Sequence, residues 1–544
     1  SHEDRPQIDL GGTTIEDIET IRIQANFDPV NIDLSNATGI TSGTIQFENS
    51  NTRIIADAVD DQVPGNGTPD LVDLAIVNQT DSARSALHYK GLPTDPLLNG
   101  PTTQNITIDS ANVGPIVVGG NLANGQNTAT GIETMAFDIV NQPAVLEGFI
   151  NDDLTNITVS GDQDVKFANL TPTADVLPTT LGGTNAAGKN SGTLTFNGSA
   201  GSGMQSLFGM NVGAVTYVIT TGSNESDKVD FREFNASTPP DHVPNNSLDG
   251  DNRVDGGDGD SDVVAIGEVD INSVGFRGND TGSANDGLEN VEFLQIYEQQ
   301  VGGGIDGTFN GAGFWQDGGK TIQLLAYNAP MMLDDPNNPG LVGIDDAGAG
   351  LTLNGLSNNE VLQAAITSSE DGDLAINTAS SGATFTADFI VGNGSEIGDF
   401  DFSGGTLNLD LSGGGDLTLP DFSAPNMTTL SITGNVDVTI ENGDDVLFEA
   451  ITPNLTTVSA GMATAPLDLL DLGLDTGGAS ITTGSAGDRV AVGPGTMSTE
   501  QDDTISTQGG NDQIWAQDVS DFDGDDDIDG GEGSSDELLF NGNI

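Results

Sequence analysis

The segment Asn426-Met427-Thr428-Thr429-Leu430-Ser431-Ile432 recurs further along the chain as Asn454-Leu455-Thr456-Thr457-Val458-Ser459-Ala460. In each copy apolar residues alternate with small polar ones, the period of two that turns one face of a strand towards a core. Thr406–Leu411 and Asp416–Leu419 carry the same alternation upstream. One such rung cannot bury its apolar face alone, whereas stacked copies can, which is the logic of a β-solenoid. A β-sandwich is the competing arrangement, because alternation does not separate the two.

Outward from these rungs the chain reads as β throughout. Thr44–Phe47, Ile106–Ile108, Thr193–Phe196 and Ala214–Ile219 alternate in the same way, and clusters of Gly, Asn and Asp punctuate them as tight turns require. The best helical candidates are short: Asn359–Ile366 and Gly203–Leu207. The expected class is all-β. β-Sandwich or irregular β domains are expected over 1–150 and 151–300, then a Gly-rich connection over 301–350. A β-solenoid follows over 351–482 and a β-roll over 483–544. A strand motif, (Ile/Leu)-Glu-(Thr/Asn)-apolar-x-apolar, starts at Ile18, Ile132 and Leu288, and each copy is expected to be one half-buried strand.

Composition narrows the function. The 544 residues hold 13 Lys+Arg against 83 Asp+Glu, a formal charge of −70. A nucleic-acid partner is excluded, since so few cations cannot displace counterions from phosphate. Anionic lipid is excluded for the same reason. No run of apolar residues is long enough for membrane insertion. Without cysteine there is no disulfide, thiolate nucleophile or Cys-ligated zinc, and the three histidines leave little for imidazole catalysis. A folded chain this acidic repels itself unless cations neutralise it.

The carboxylates are spaced for that purpose. Asp503 and Asp512 stand nine positions apart, as do Ile505 and Ile514. Thr507–Trp515 therefore fits the second half of the nonapeptide Gly-Gly-x-Gly-x-Asp-x-U-x, where U is apolar and plugs the interior of a parallel roll. Asp488 with Val490 is a weaker, earlier turn. Two Gly/Asp blocks, Leu248–Asp262 and Phe522–Asp536, align without a gap, and Pro64–Leu74 is a decayed third copy. The candidate ligands are Asp249, Asp251, Asp255, Asp258, Asp260 and Asp262 in the first block, and Asp488, Asp503 and Asp512 in the turns. In the last block they are Asp523, Asp525, Asp526, Asp527, Asp529 and Asp536. A hard cation with oxygen ligands, calcium, is the expected cofactor. Asp525, Asp527, Asp529, Gly530 and Asp536 also match positions of an EF-hand-like loop, but Val519–Phe522 before them is not helical, which favours the roll.

These residues carry a resemblance. The Asp503–Asp512 spacing and the Gly256-Gly257 and Gly530-Gly531 blocks resemble RTX (repeats-in-toxin) proteins. The Thr-Thr rungs at 428–432 and 456–460 resemble calcium-dependent bacterial S-layer proteins of that kind and related adhesins. The resemblance implies an extracellular protein of a Gram-negative surface, exported by type I secretion. It also implies folding on calcium and self-assembly into a layer, sheath or filament, with cell-surface polysaccharide as a further partner.

Two other functions stand beside this one: an adhesin segment that binds glycans or another surface, and a carboxylate-dependent polysaccharide-active enzyme. No Gly-x-Ser-x-Gly elbow or intact phosphate loop occurs, and Trp315, Trp515, Tyr89, Tyr217, Tyr297 and Tyr327 are scattered rather than clustered. No enzyme is therefore expected. The strand motifs and Gly/Asp blocks alternate along the chain, with an unmatched strand first and an unmatched block last. That order is consistent with copies joined head to tail or with a slice of a tandem protein.

Overall fold

The computed structural model describes residues 7–9, 18–25, 29–34, 43–48, 54–59, 71–79, 85–89, 103–121, 129–150, 154–167, 192–207, 215–222, 226–231, 253–257, 259, 261–267, 287–298, 304–310, 320–326, 340–344, 350–367, 372–441, 452–472, 478–492, 503–516 and 526–540. Among these there is no helix. The chain divides into two compact units, one of residues 1–265 with 285–291 and one of residues 266–284 with 292–544.

In the first unit the strands form largely parallel sheets in which each strand pairs with its counterpart one coil later. Thr20–Gln24 lies beside Thr44–Glu48, which lies beside Asp73–Val77. Further along, Thr103–Asp109 is followed by Thr134–Ile139, Asn156–Gly161 and Gly192–Gly201. Ten strands run in this order, from Thr20–Gln24 to Gly287–Glu289. Ile116–Asn121 makes one antiparallel contact, with Ala129–Thr130. The first unit is therefore coiled in parallel where it is described, not folded as an antiparallel sandwich. Intervening segments of very different length conceal the period. Thr134 pairs with Asn156, a short step along the chain, whereas Asn156 pairs with the much more distant Thr195. Inside the coils Phe137, Phe167 and Phe196 meet edge to face, at centroid distances of 5.8 and 5.6 Å.

The second unit coils in the same way. Thr384–Val391, Thr406–Ser412, Thr429–Gly434, Thr457–Ala463, Ser480–Thr482, Thr504–Ser506 and Asp527–Asp529 stack in parallel. Two further sheets complete the coils around residues 384–423, through Ser395–Glu396 beside Asp416–Leu419 and Asp399–Phe402 beside Asp421–Ser423. The repeated rungs are in register, Thr429 opposite Thr457. The repeat has a local cause at the corner before the strand. Asn426 donates to Ser403 O and Asn454 to Pro425 O, while the Thr428 and Thr456 hydroxyls donate to Gly405 O and Thr428 O. Asn-x-Thr thus ties each corner to the preceding coil. Gly434, at φ 112°, is required at the far corner, where a Cβ would lie 1.7 Å from Leu411 O.

Several expectations change. Asn359–Ile366 and Gly203–Leu207 are not helical: Glu360–Ile366 and Gln205–Leu207 are strands. In Glu360–Ile366 burial alternates strictly from one position to the next, so neighbouring coils override helix propensity. The strand motif opens a single strand at Thr20 and at Thr134. The copy at 288–293 instead crosses a corner at Asn290, φ 53°, between Gly287–Glu289 and Phe293–Tyr297. Residues 64–70 of the decayed block lie outside the described residues.

A polar column in the second unit runs from buried residues to half-buried ones. The Tyr297 hydroxyl donates to Gln295 Oε1, Gln295 to Gln323, Gln323 to Gln363 and Gln363 to Asp388, at 2.7–3.0 Å. Gln295 and Gln323 are fully buried, so each amide depends on its neighbours. Gln323→Leu leaves two partners unsatisfied and is expected to destabilise the protein by about 2–4 kcal/mol, measured by denaturant unfolding.

Candidate metal centre

A parallel coil hydrogen-bonds its strands to the next coil, but at each corner a backbone N–H leaves the ladder and needs another acceptor. Aspartates supply it. Asp488 Oδ1 accepts from Leu467 N at 2.9 Å, Asp512 Oδ1 from Asp488 N at 2.8 Å, and Asp536 Oδ1 from Asp512 N at 3.2 Å. On the other side of the coil Asp503 accepts from Gly478 and Ala479, and Asp526 from Asp503 N. Each acid therefore caps the coil before it.

The turns that carry these acids run over Thr483–Asp488 and Thr507–Asp512 and are equal in length. Gly510, at φ 128°, sits where a Cβ would be 2.1 Å from Ala486 O, which explains the glycine of the nonapeptide pattern. The spacing departs from a regular roll over the whole coil. Asp503 and Asp512 are nine positions apart, but Asp503 and the Asp526 that caps it from the next coil are separated by 23. Only one half of the coil keeps the nonapeptide length.

Four oxygens in these two turns are buried without a well-formed hydrogen bond: Thr483 Oγ1, Asp488 Oδ2, Thr507 Oγ1 and Asp512 Oδ2, although each threonine hydroxyl is close enough to its aspartate to favour the charged carboxylate. All four residues are fully buried. Burial pushes the Asp488 carboxyl up to about 6, offset in part by the nearby Thr483 hydroxyl and the Leu467 amide and reinforced by Asp512. Burial also raises Asp512, against the pull of the Asp488 amide, with Asp536 adding to the rise. All four atoms are oxygens, the donor type that a hard divalent ion such as calcium takes. Among the described residues no three acidic or histidine side chains converge on one point. An ion held here would draw its remaining ligands from hydroxyl and backbone carbonyl oxygens.

The other candidates divide in two. Asp249, Asp251, Asp258, Asp260, Asp523 and Asp525 lie outside the described residues. The rest of the two aligned blocks share one local structure. Arg253–Asp255 and Asp527–Asp529 are strands. Asp255 accepts from Gly257 N at 3.1 Å and Asp529 from Gly531 N at 3.0 Å. Gly257 and Gly531 have φ 83° and 74°. Asp262 then accepts from Asp227 N, as Asp536 does from Asp512 N. Asp255 is further engaged by Asn290 and lies 3.6 Å from Arg253. Asp527 is exposed on a strand. Residues 526–540 are a strand, a loop with a bend at 534–535 and a second strand, so the described part of the EF-hand-like spacing, from Asp527 to Asp536, is held in a β connection.

Sequence reasoning did not single out Thr483 and Thr507, nor Asp164 and Asp227, which cap Met204 N and Gln205 N in the first unit. Each threonine opens its turn at the same distance before the aspartate, a spacing that could have been read. The caps at Asp227 and Asp262 are 35 residues apart, which no fixed period reveals.

The sign of the pH effect follows from the raised carboxyls. A folded-state value of about 6 for Asp488, above the ordinary 3.8, means the folded state binds more protons between those values, so stability falls as pH rises through that window. In chelator, the second unit is expected to melt at a higher temperature at pH 5 than at pH 7, and Asp488→Asn to flatten that slope.

No protein-family model and no curated protein sequence matches this chain.

Proposed function

We propose that this chain is an extracellular calcium-binding structural protein whose stacked turns are neutralised by calcium and which self-assembles into a surface layer, sheath or filament. The observation that carries this reading is the set of four buried oxygens at Thr483, Asp488, Thr507 and Asp512 that make no well-formed hydrogen bond. Such atoms are costly unless something satisfies them. A divalent cation would supply the missing partner and offset the repulsion between Asp488 and Asp512. Asp488 and Asp512 would hold it, with the two threonine hydroxyls beside them. Its chemistry there is charge neutralisation and cross-linking of adjacent coils.

The net charge of −70 supports the same reading at the scale of the whole molecule. Copies this acidic approach one another only where cations screen them, so calcium would gate both coil closure and association. The RTX-like spacing of Asp503 and Asp512, and the resemblance of the rungs at 426–460 to S-layer proteins, support an exported surface protein.

Millimolar calcium is expected to raise the melting temperature by about 5 °C or more, since a ligand at a hundred times its dissociation constant adds about 2.7 kcal/mol per site. The double variant Asp488→Asn/Asp512→Asn should lose most of that shift. Light scattering after size exclusion tests association: mass should rise on adding calcium and return on chelation. A melting temperature indifferent to calcium, with a constant monomeric mass, refutes the proposal.

A further inference from the structure

On the outer face of the ten-stranded sheet in the first unit, a groove of 460 Å³ crosses four successive coils. Asn105, Ala136, Thr158 and Asn197 are in register across it, as are Thr107, Asp138, Ser160 and Ala200. Three inter-strand steps give a length of about 14 Å. The volume lies within the roughly 300–1,000 Å³ of ordinary ligand sites.

One wall of the groove is built for its place. The strand Gly192–Gly201 carries a β-bulge, where Gly198 and Ser199 stand against the single Val159. Gln205, fully buried in the next strand of the same coil, donates to Gly198 O at 2.8 Å and pins the bulge from beneath. A Cβ at Gly198 would lie 1.7 Å from Gln205 Oε1, so a side chain there would displace this prop. The Asn197 carboxamide accepts from both Ser199 N and Ser199 Oγ, at 3.0 and 2.7 Å, and sets the serine at the rim. Gly222 lets the following coil pass, where a Cβ would be 2.2 Å from Ser199 Cα. Bulges of this kind re-aim side chains beside functional sites.

The lining selects a ligand class. Asn105, Thr107, Thr158, Ser160, Asn197 and Ser199 offer both donors and acceptors. Asp138, exposed and receiving Ser160 Oγ at 3.2 Å, adds one carboxylate. Among the described residues no cationic side chain lines the groove, which disfavours an anion, and the one aromatic ring in the lining, Phe137, is buried. The strands across it are paired with one another, so they leave no free edge there for an extended peptide. A neutral, polyhydroxylated ligand matches this pattern. With only one carboxylate among its described lining, the groove lacks the acid–base pair of glycoside hydrolysis.

We propose that this groove is a binding site for a neutral oligosaccharide, which it holds without cleaving. The site belongs to the first unit and does not depend on calcium in the second. Isothermal titration of the full chain with cello-, manno- and xylohexaose, and with a galacturonic acid hexamer, tests it. At least one neutral hexasaccharide should bind and remain intact, and the acidic hexamer should bind more weakly. Asp138→Ala and Ser199→Ala, both on exposed side chains, should each weaken binding by about tenfold without moving the melting temperature. Gln205→Leu should weaken binding through the bulge, and Gln205→Glu, which cannot donate to Gly198 O when ionised, should not restore it. Absence of binding by every neutral sugar at millimolar concentration overturns the proposal. So does preference for the acidic hexamer, or affinity unchanged in both rim variants.

Discussion

Among the described coils, backbone N–H groups leave the parallel ladder at the corners, and carboxylates from the following coil accept several of them. The series Asp488, Asp512 and Asp536, each accepting the amide of the preceding coil, shows the device at its plainest. A charged acceptor makes a stronger bond than a neutral one. The cost is electrostatic. Unit charges one coil apart, about 4.8 Å, repel by about 3–4 kcal/mol at an effective dielectric constant of 20. Asp488 and Asp512 also carry the desolvation of full burial. That cost falls where the acids are protonated or where cations screen them.

The two faces of the problem are handled by different residues. Where the turn is tight and acidic, glycine at positive φ brings one coil against the next, and the second carboxylate oxygen of Asp488 and Asp512 remains inside without a well-formed hydrogen bond. Where the sheet faces outward in the first unit, Asn, Ser and Thr surround the single carboxylate of Asp138, and the bulge at Gly198–Ser199 shapes a recess. Acidic turns and a largely uncharged outer recess thus coexist in one chain. Aromatic residues serve the interior instead, as with Phe400 against Phe422 at 5.5 Å.

Local features were legible in the sequence. The alternation at 426–432 and 454–460 predicted rungs in register, because inward and outward positions on a strand are decided by parity. The gapless alignment of Leu248–Asp262 with Phe522–Asp536 predicted a common turn. Both copies share the Asp255–Gly257 and Asp529–Gly531 bonds, since a side chain bonding two positions ahead needs nothing from the rest of the fold. Less legible was the first half of the chain. There, parallel coils stand where sandwich or irregular β domains were expected, and Gln205–Leu207 is a strand because of the neighbours it pairs with, as Glu360–Ile366 is in the second unit.

The sequence by itself determined the all-β class, the turn chemistry and the acidity, all of which are properties of residues close together in the chain. Only the tertiary structure decided which amide each aspartate caps, which hydroxyls join the buried acids, and that Gln205 props a bulge in another strand. The physical reason is coil length. The step between partners in adjacent coils is short from Asp416 to Asp437 and far longer from Gly307 to Leu351. A lengthening loop costs little entropy, so the stacking tolerates segments of any size and erases the period by which sequence could have found the contacts.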